Sequence, residues 1–186
     1  MQQSTHPVVC FGEVLWDILP SGPQPGGAPM NVAYHLKKLG TNPAMITKVG
    51  LDAYGKELLG IFSKSGLTTG YFYVDNEQAT GLVYANTGAQ GEVDYDIVFP
   101  SAWDFIEWKD AFVPLLQQSS CFVYGSLSGR HKTSRDTLAR LLEMGCTNVL
   151  DINLRPPHYQ RTQVEYLLRK AAVVKMNLAE LELITG

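Results

Sequence analysis

The densest chemistry in this 186-residue sequence lies in Gly26-Gly27-Ala28-Pro29-Met30-Asn31-Val32-Ala33. Two adjacent glycines admit positive φ and let a ligand approach the main chain without a Cβ in the way. Pro29 suits the first turn of a helix, where its missing N–H costs nothing. The glycines therefore deliver a helix N-terminus, whose free N–H groups and positive dipole end face whatever lies in front. Asn31 adds a side-chain donor and acceptor. Such a place suits an oxygen-rich ligand. Taken alone, the same residues fit a tight loop with a local cap at least as well.

Other polar residues fall just after segments that read as strands: Asp17, Asp151, Asn153, Arg155, Asn177 and Glu180. In open α/β sheets, ligands gather at the carboxyl ends of the strands. Each residue also has a plainer reading. Asp17 fits a turn cap, Asp151 and Asn153 fit strand caps, and Arg155 fits a surface ion pair. Six such residues near strand ends, together with the diglycine helix start, suggest one crevice edge. His6, His35, His131 and His158 lie outside every motif and receive no role.

The elements that must position these residues alternate. Residues 8–12 form a short apolar run, a strand buried on both faces, which continues through 13–19 until Pro20-Ser21-Gly22-Pro23 breaks it. A helix follows over 29–39, with Val32, Leu36 and Leu39 at i, i+4 and i+7 as its apolar stripe and Gly40 as its stop. Residues 44–49 read as a strand and 53–65 as a helix with Leu58, Ile61 and Phe62 inward. This rhythm argues for a parallel sheet with helices on its faces. Residues 71–74, 81–85 and 95–99 then read as three strands with no helix between them. Asp75-Asn76 and Asn86-Thr87-Gly88 mark the turns, the pattern of antiparallel hairpins. An edge hairpin of the main sheet would explain them; the favoured expectation is a separate flap over the crevice, joined by the strand at 15–19. The α/β rhythm resumes with helices over 110–118, 132–144 and 161–171 and strands over 121–124, 149–153 and 172–176. Asn177 opens a last helix.

Composition excludes some partners. Hydrophobic residues make up 45% of the chain, charged residues 18%, and the net charge is −3. This gives no field to attract nucleic acid or an anionic membrane. Cys10, Cys121 and Cys146 are odd in number and lie in apolar runs, which reads as reduced thiols in the core. The first seven residues lack the features of a signal peptide and no run is long enough to span a bilayer. A cytoplasmic location is expected.

The chain resembles the ribokinase-like (PfkB) carbohydrate kinases. The residues that carry the resemblance are Gly26-Gly27-Ala28-Pro29-Met30-Asn31-Val32-Ala33, Leu39-Gly40, Val49-Gly50-Leu51-Asp52-Ala53-Tyr54-Gly55, Asp151-Ile152-Asn153-Leu154-Arg155 and Asn177-Leu178-Ala179-Glu180, in that order. Within the family the sequence looks most like a fructokinase, with 2-keto-3-deoxygluconate kinase and ribokinase as alternatives. The resemblance implies a three-layer α/β/α fold with a mainly parallel sheet and a small antiparallel β lid, its strands at about 13–20 and 69–99. It also implies transfer of the ATP γ-phosphoryl group to a primary sugar hydroxyl. Asp17, Gly26, Gly27 and Asn31 match the sugar contacts, Asn177 and Arg155 the phosphate contacts, and Glu180 a residue that holds Mg²⁺ through water. The lid implies a homodimer contact. The family's glycine-rich anion hole and catalytic aspartate have no match here and are expected beyond Gly186, so residues 1–186 read as an N-terminal part, inactive alone. A non-catalytic sugar-binding or dimerising protein would use the same residues. A dinucleotide-binding oxidoreductase fits the rhythm but not the glycine position, since its fingerprint should follow the first strand at once.

Overall fold

The computed structural model describes residues 6–87 and 93–186. The N-terminal residues 1–5 and the turn expected at Gly88 lie outside these. In chain order the strands are β1 (Val8–Phe11), β2 (Leu15–Leu19), β3 (Gly22–Gly26), β4 (Ala44–Gly50), β5 (Phe72–Asp75), β6 (Gly81–Thr87), β7 (Val93–Ile97), β8 (Cys121–Gly125), β9 (Thr147–Asp151) and β10 (Val173–Lys175). The helices are α1 (Ala28–Lys38), α2 (Ala53–Lys64), α3 (Phe112–Gln117), α4 (Lys132–Leu141), α5 (Arg161–Lys170) and α6 (Leu178–Thr185).

Two-residue periodicity in the apolar strands builds two cores. In β1, Val9 and Phe11 enter one core and Cys10 the other; β4 and β8 repeat the pattern with Ala44 and Ile46 against Met45, and Phe122 and Tyr124 against Val123. Met30, Ala33, Leu58 and Phe62 bring α1 and α2 onto one face, while Leu116, Leu138, Leu141, Val164 and Leu167 bring α3, α4 and α5 onto the other. Strands covered on both faces need apolar residues at every position, hence the continuous runs in the sequence. The six strands all pair in parallel, in the order β10-β9-β8-β1-β4-β5. The chain moves outward from β1 in one direction through β4 and β5, then in the other through β8, β9 and β10. This leaves a crevice at the carboxyl ends where the direction reverses.

A second sheet, in the order β3-β2-β6-β7, stands apart from the first. Its outer pairs are antiparallel and its central β2–β6 pair is parallel, so the lid is mixed, not purely antiparallel. Its membership also differs from the sequence expectation at both ends. The run at 71–74 is β5, which pairs in parallel with β4 at the edge of the main sheet, because Phe72 packs on Phe62 of α2. The proline-rich break became β3. Pro23 and Pro25 are tolerated because β3 is an edge strand, and their spacing of two lets both missing N–H groups face away from β2.

Helix α1 is turned from its expected orientation. Pro29, Met30 and Ala33 face the core, whereas Val32 and Leu36 are half-buried and Leu39 is 80% exposed. Gly40 takes φ +85° beyond the last turn, as a helix-stop glycine does.

The main sheet meets the lid at Asp52. Its side chain caps α2 through Gly55 N–H (2.7 Å) and also accepts from Thr80 N–H and Thr80 Oγ1 (both 2.8 Å), just ahead of β6. Thr80 Oγ1 in turn accepts from Gly50 N–H (2.9 Å). A Cβ on Gly50 would meet Thr80 N at 2.5 Å, so the glycine is required for the contact. Burial opposes the charge on Asp52, but these hydrogen bonds outweigh it and hold its pKa below the usual carboxylate value. Asp52→Ala is expected to destabilise the protein at pH 7 by roughly 2 kcal/mol, the loss of a cap and of a partly buried hydrogen-bond acceptor. Because the contribution is present above the ordinary carboxylate pKa and disappears as pH falls through the lowered one, the deficit in a denaturant titration should shrink in acid.

Candidate functional site

A cavity of about 730 Å³ lies between the carboxyl ends of the parallel strands and the lid. Asp17 of β2 and Tyr95 of β7 reach it from the lid, Gly27 and Asn31 from the start of α1, and Asp151, Asn153 and Arg155 from the strand ends opposite. Four of the seven expected site residues (Asp17, Gly27, Asn31 and Arg155) thus share one cavity, although two sheets and a helix supply them.

The diglycine acts through close approach. Gly27 has φ +113°, and a Cβ there would collide with the Glu13 carbonyl oxygen. Gly26 pairs with Leu15 across the β2–β3 ladder, and a Cβ on it would strike the Asp17 carboxylate. Gly26 therefore makes room for Asp17 and does not itself line the cavity. Partial burial raises the Asp17 pKa, and the Arg155 guanidinium pulls it back down. Arg155 also lies over the Tyr95 ring at 5.8 Å, so it touches both walls' chemistry.

Asn177 and Glu180 fall outside the cavity lining. They form a capping box at the start of α6: Asn177 Oδ1 accepts from Glu180 N–H, and Glu180 Oε2 accepts from Asn177 N–H (both 2.8 Å). Glu180 Oε1 takes the N–H of Leu154 (2.8 Å), which fixes the loop that carries Arg155. Both carboxylate oxygens are thus engaged by the main chain. Among the described residues, no three His, Cys, Asp or Glu side chains gather as a metal site. Asp151 is paired with Lys175 (2.9 Å), and Asn153 adopts φ +37° where the chain turns out of β9.

Sequence reasoning missed Glu13. It follows β1 and is only 1% exposed; its Oε1 accepts from Ala28 N–H (3.3 Å), and its Oε2 is enclosed with no partner. Burial lifts its pKa to about 7, against smaller opposing effects of its own N–H, Ala28 N–H and the Arg130 charge. The signal was available: a lone carboxylate after Gly12 inside the apolar run 8–16. His35, one turn beyond Asn31, also lines the cavity.

A sequence profile described as pfkB family carbohydrate kinase matches residues 22–186. The chain belongs to this family. Fructokinase-1 of Zea mays is 31% identical to it over 96% of the chain and 62% of the relative, and fructokinase-1 of Oryza sativa subsp. japonica gives the same figures. The chain thus spans less than two thirds of these relatives' length. Among solved structures, a fructokinase from Xylella fastidiosa superimposes with a TM-score of 0.86 at 22% identity, over 97% of this chain and 62% of the other. That likeness concerns the fold. The pfkB chain described here has no helix, among its described residues, long and apolar enough to cross a membrane. Its three cysteines are free, and burial pushes the Cys10 thiol up to about 12.

The burial of Glu13 sets a pH dependence. Below about pH 4.5 the carboxyl is protonated folded or unfolded and has no effect. Between pH 4.5 and about 7 the unfolded chain releases the proton while the folded chain retains it, so stability falls as pH rises. Above 7 the loss levels off on the order of 3 kcal/mol. Glu13→Gln should therefore gain stability over the wild type at pH 8 and not at pH 4, as read by urea midpoints at the two values.

Proposed function

We propose that the protein is a sugar kinase, passing the γ-phosphoryl group of ATP to a primary hydroxyl of a monosaccharide, with fructose as its first substrate. The observation that carries this reading is the convergence of Asp17 with Gly27 and Asn31 on one lid-covered cavity. A carboxylate accepts hydrogen bonds from sugar hydroxyls, while an amide side chain and a helix start donate to sugar oxygens. A lid above them excludes water, which would otherwise compete as acceptor. The fructokinase relatives support fructose over 2-keto-3-deoxygluconate or ribose. A Xylella fastidiosa fructokinase of related fold was solved with bound ATP, which supports ATP as donor.

In this reaction the hydroxyl oxygen bonds to the γ-phosphorus, the bond to the ADP oxygen breaks, and the hydroxyl proton leaves to a base. This chain's contribution is to bind and orient the sugar. Asp17 holds hydroxyls from the lid side, Asn31 and the α1 start hold the opposite edge, and Arg155 offers a fixed fork of donors to phosphate. Positioning of this kind supplies much of the rate in phosphoryl transfer.

Fructose titrated into the wild-type chain should give saturable binding that Asp17→Ala weakens at least tenfold, with a melting temperature within about 2 °C of wild type. A coupled ADP-release assay, run on the 186 residues and on the longest product of the same gene, tests turnover. Binding without turnover in either would favour a sugar-binding protein, and no binding of fructose, ribose or 2-keto-3-deoxygluconate would end the proposal.

A further inference from the structure

Glu13 is out of place by stability alone. A buried carboxyl with one oxygen unpartnered costs the fold, and an apolar side chain of similar volume would fill the same space without that cost. What the carboxyl adds is one contact: Oε1 takes the N–H of Ala28, the first residue of α1. On the main-chain side, the Glu13 carbonyl lies where a Cβ of Gly27 would be. Residue 12 is pinned as well. It has φ +136°, and a Cβ there would run into Ser128 Oγ at 2.5 Å. Its carbonyl accepts from Thr47 Oγ1 at 2.6 Å. The Gly12–Glu13 peptide is thus held from the main sheet, and the start of α1 is held from Glu13.

We infer that Glu13 is a positioning residue for the sugar, fixing the first turn of α1 at the depth where Gly27 and Asn31 meet the ligand. The inference rests on the functional reading above and deepens it. Glu13 borders the cavity, but its Oε2 is enclosed and its Oε1 is taken by the main chain of α1. It acts through Ala28. Without the tether, the Gly26–Gly27 loop loses the one side-chain bond described at its junction with α1. The helix start is then free to drift from Asp17, whose own position belongs to the lid.

The test compares stability and sugar affinity in one set of variants. Glu13→Met fills the same volume and removes the acceptor; Glu13→Gln keeps an amide oxygen for Ala28. At pH 8, Glu13→Met should melt at or above the wild-type temperature yet bind fructose at least tenfold more weakly, while Glu13→Gln should bind within about threefold of wild type. Opposite movement of stability and affinity is the result a merely structural role does not give. Should Glu13→Met fail to fold, Glu13→Asp, one methylene short of Ala28, takes its place with the same expected loss of affinity. Wild-type affinity in the folded Met or Asp variant overturns the inference while leaving the functional reading intact, provided that Asp17→Ala has lost binding. Failure of the wild-type chain to bind fructose, ribose or 2-keto-3-deoxygluconate overturns both.

Discussion

The cavity exists because two pieces of main chain touch. The chain leaves β1 at Phe11, rises into the lid as β2, returns as β3 and lays Gly27 against the carbonyl of Glu13. That contact closes the loop, so a residue with a side chain at 27 would push α1 away from the sheet. Asp17 and Asn31 come from opposite sides of this closure. Their separation is set by backbone contact, not by any bond between them.

The lid is tied down at both ends by polar contacts. At its entry, Asp52 holds Thr80 ahead of β6. At its exit, Arg130 forks onto Asp104 with two bonds of 2.7 Å and gives a third to the carbonyl of Val98 at 2.8 Å. The guanidinium lies 4.0 Å from the Trp103 ring and 4.9 Å from that of Phe99. With Asp104 fully enclosed and Arg130 3% exposed, removal of one partner would strand a charge at a cost of roughly 3–5 kcal/mol. The exposed pair Arg161–Glu165, by contrast, contributes about 0.5 kcal/mol at most. The ion pair that matters for architecture is the one water cannot reach.

What the sequence made legible follows from how many explanations each segment allowed. Apolar runs such as 44–49 and 121–124 have few, and they became central parallel strands. The run at 71–74 allowed two, since local pattern carries no information about which sheet receives a strand; packing of Phe72 on α2 decided it. The prolines at 23 and 25 hid a strand because interior and edge positions tolerate proline so differently. Periodicity found helix α1 but misjudged its face, because a cavity-facing stripe and a core-facing stripe look alike in one dimension. Polar residues were harder. Asp17 and Asn31, which stand beside glycines or a strand end, line the cavity, whereas Asn177 and Glu180 are joined to each other, and Glu180 to Leu154. Glu13 sat inside an apolar run, where a charged residue is easily passed over as a break in pattern.

The orientation of α1 has a bearing on how such a protein diversifies. Its dipole end and Asn31 face the cavity, while Leu39, 80% exposed, stands on the rim with little of its surface committed to either core. Exchanges at weakly packed positions usually shift stability by no more than about 0.5 kcal/mol. Leu39 is therefore a position where mutation can remodel the shape of the opening without first having to be rescued elsewhere in the fold. Drift can sample new ligands there while the anchoring glycines stay fixed.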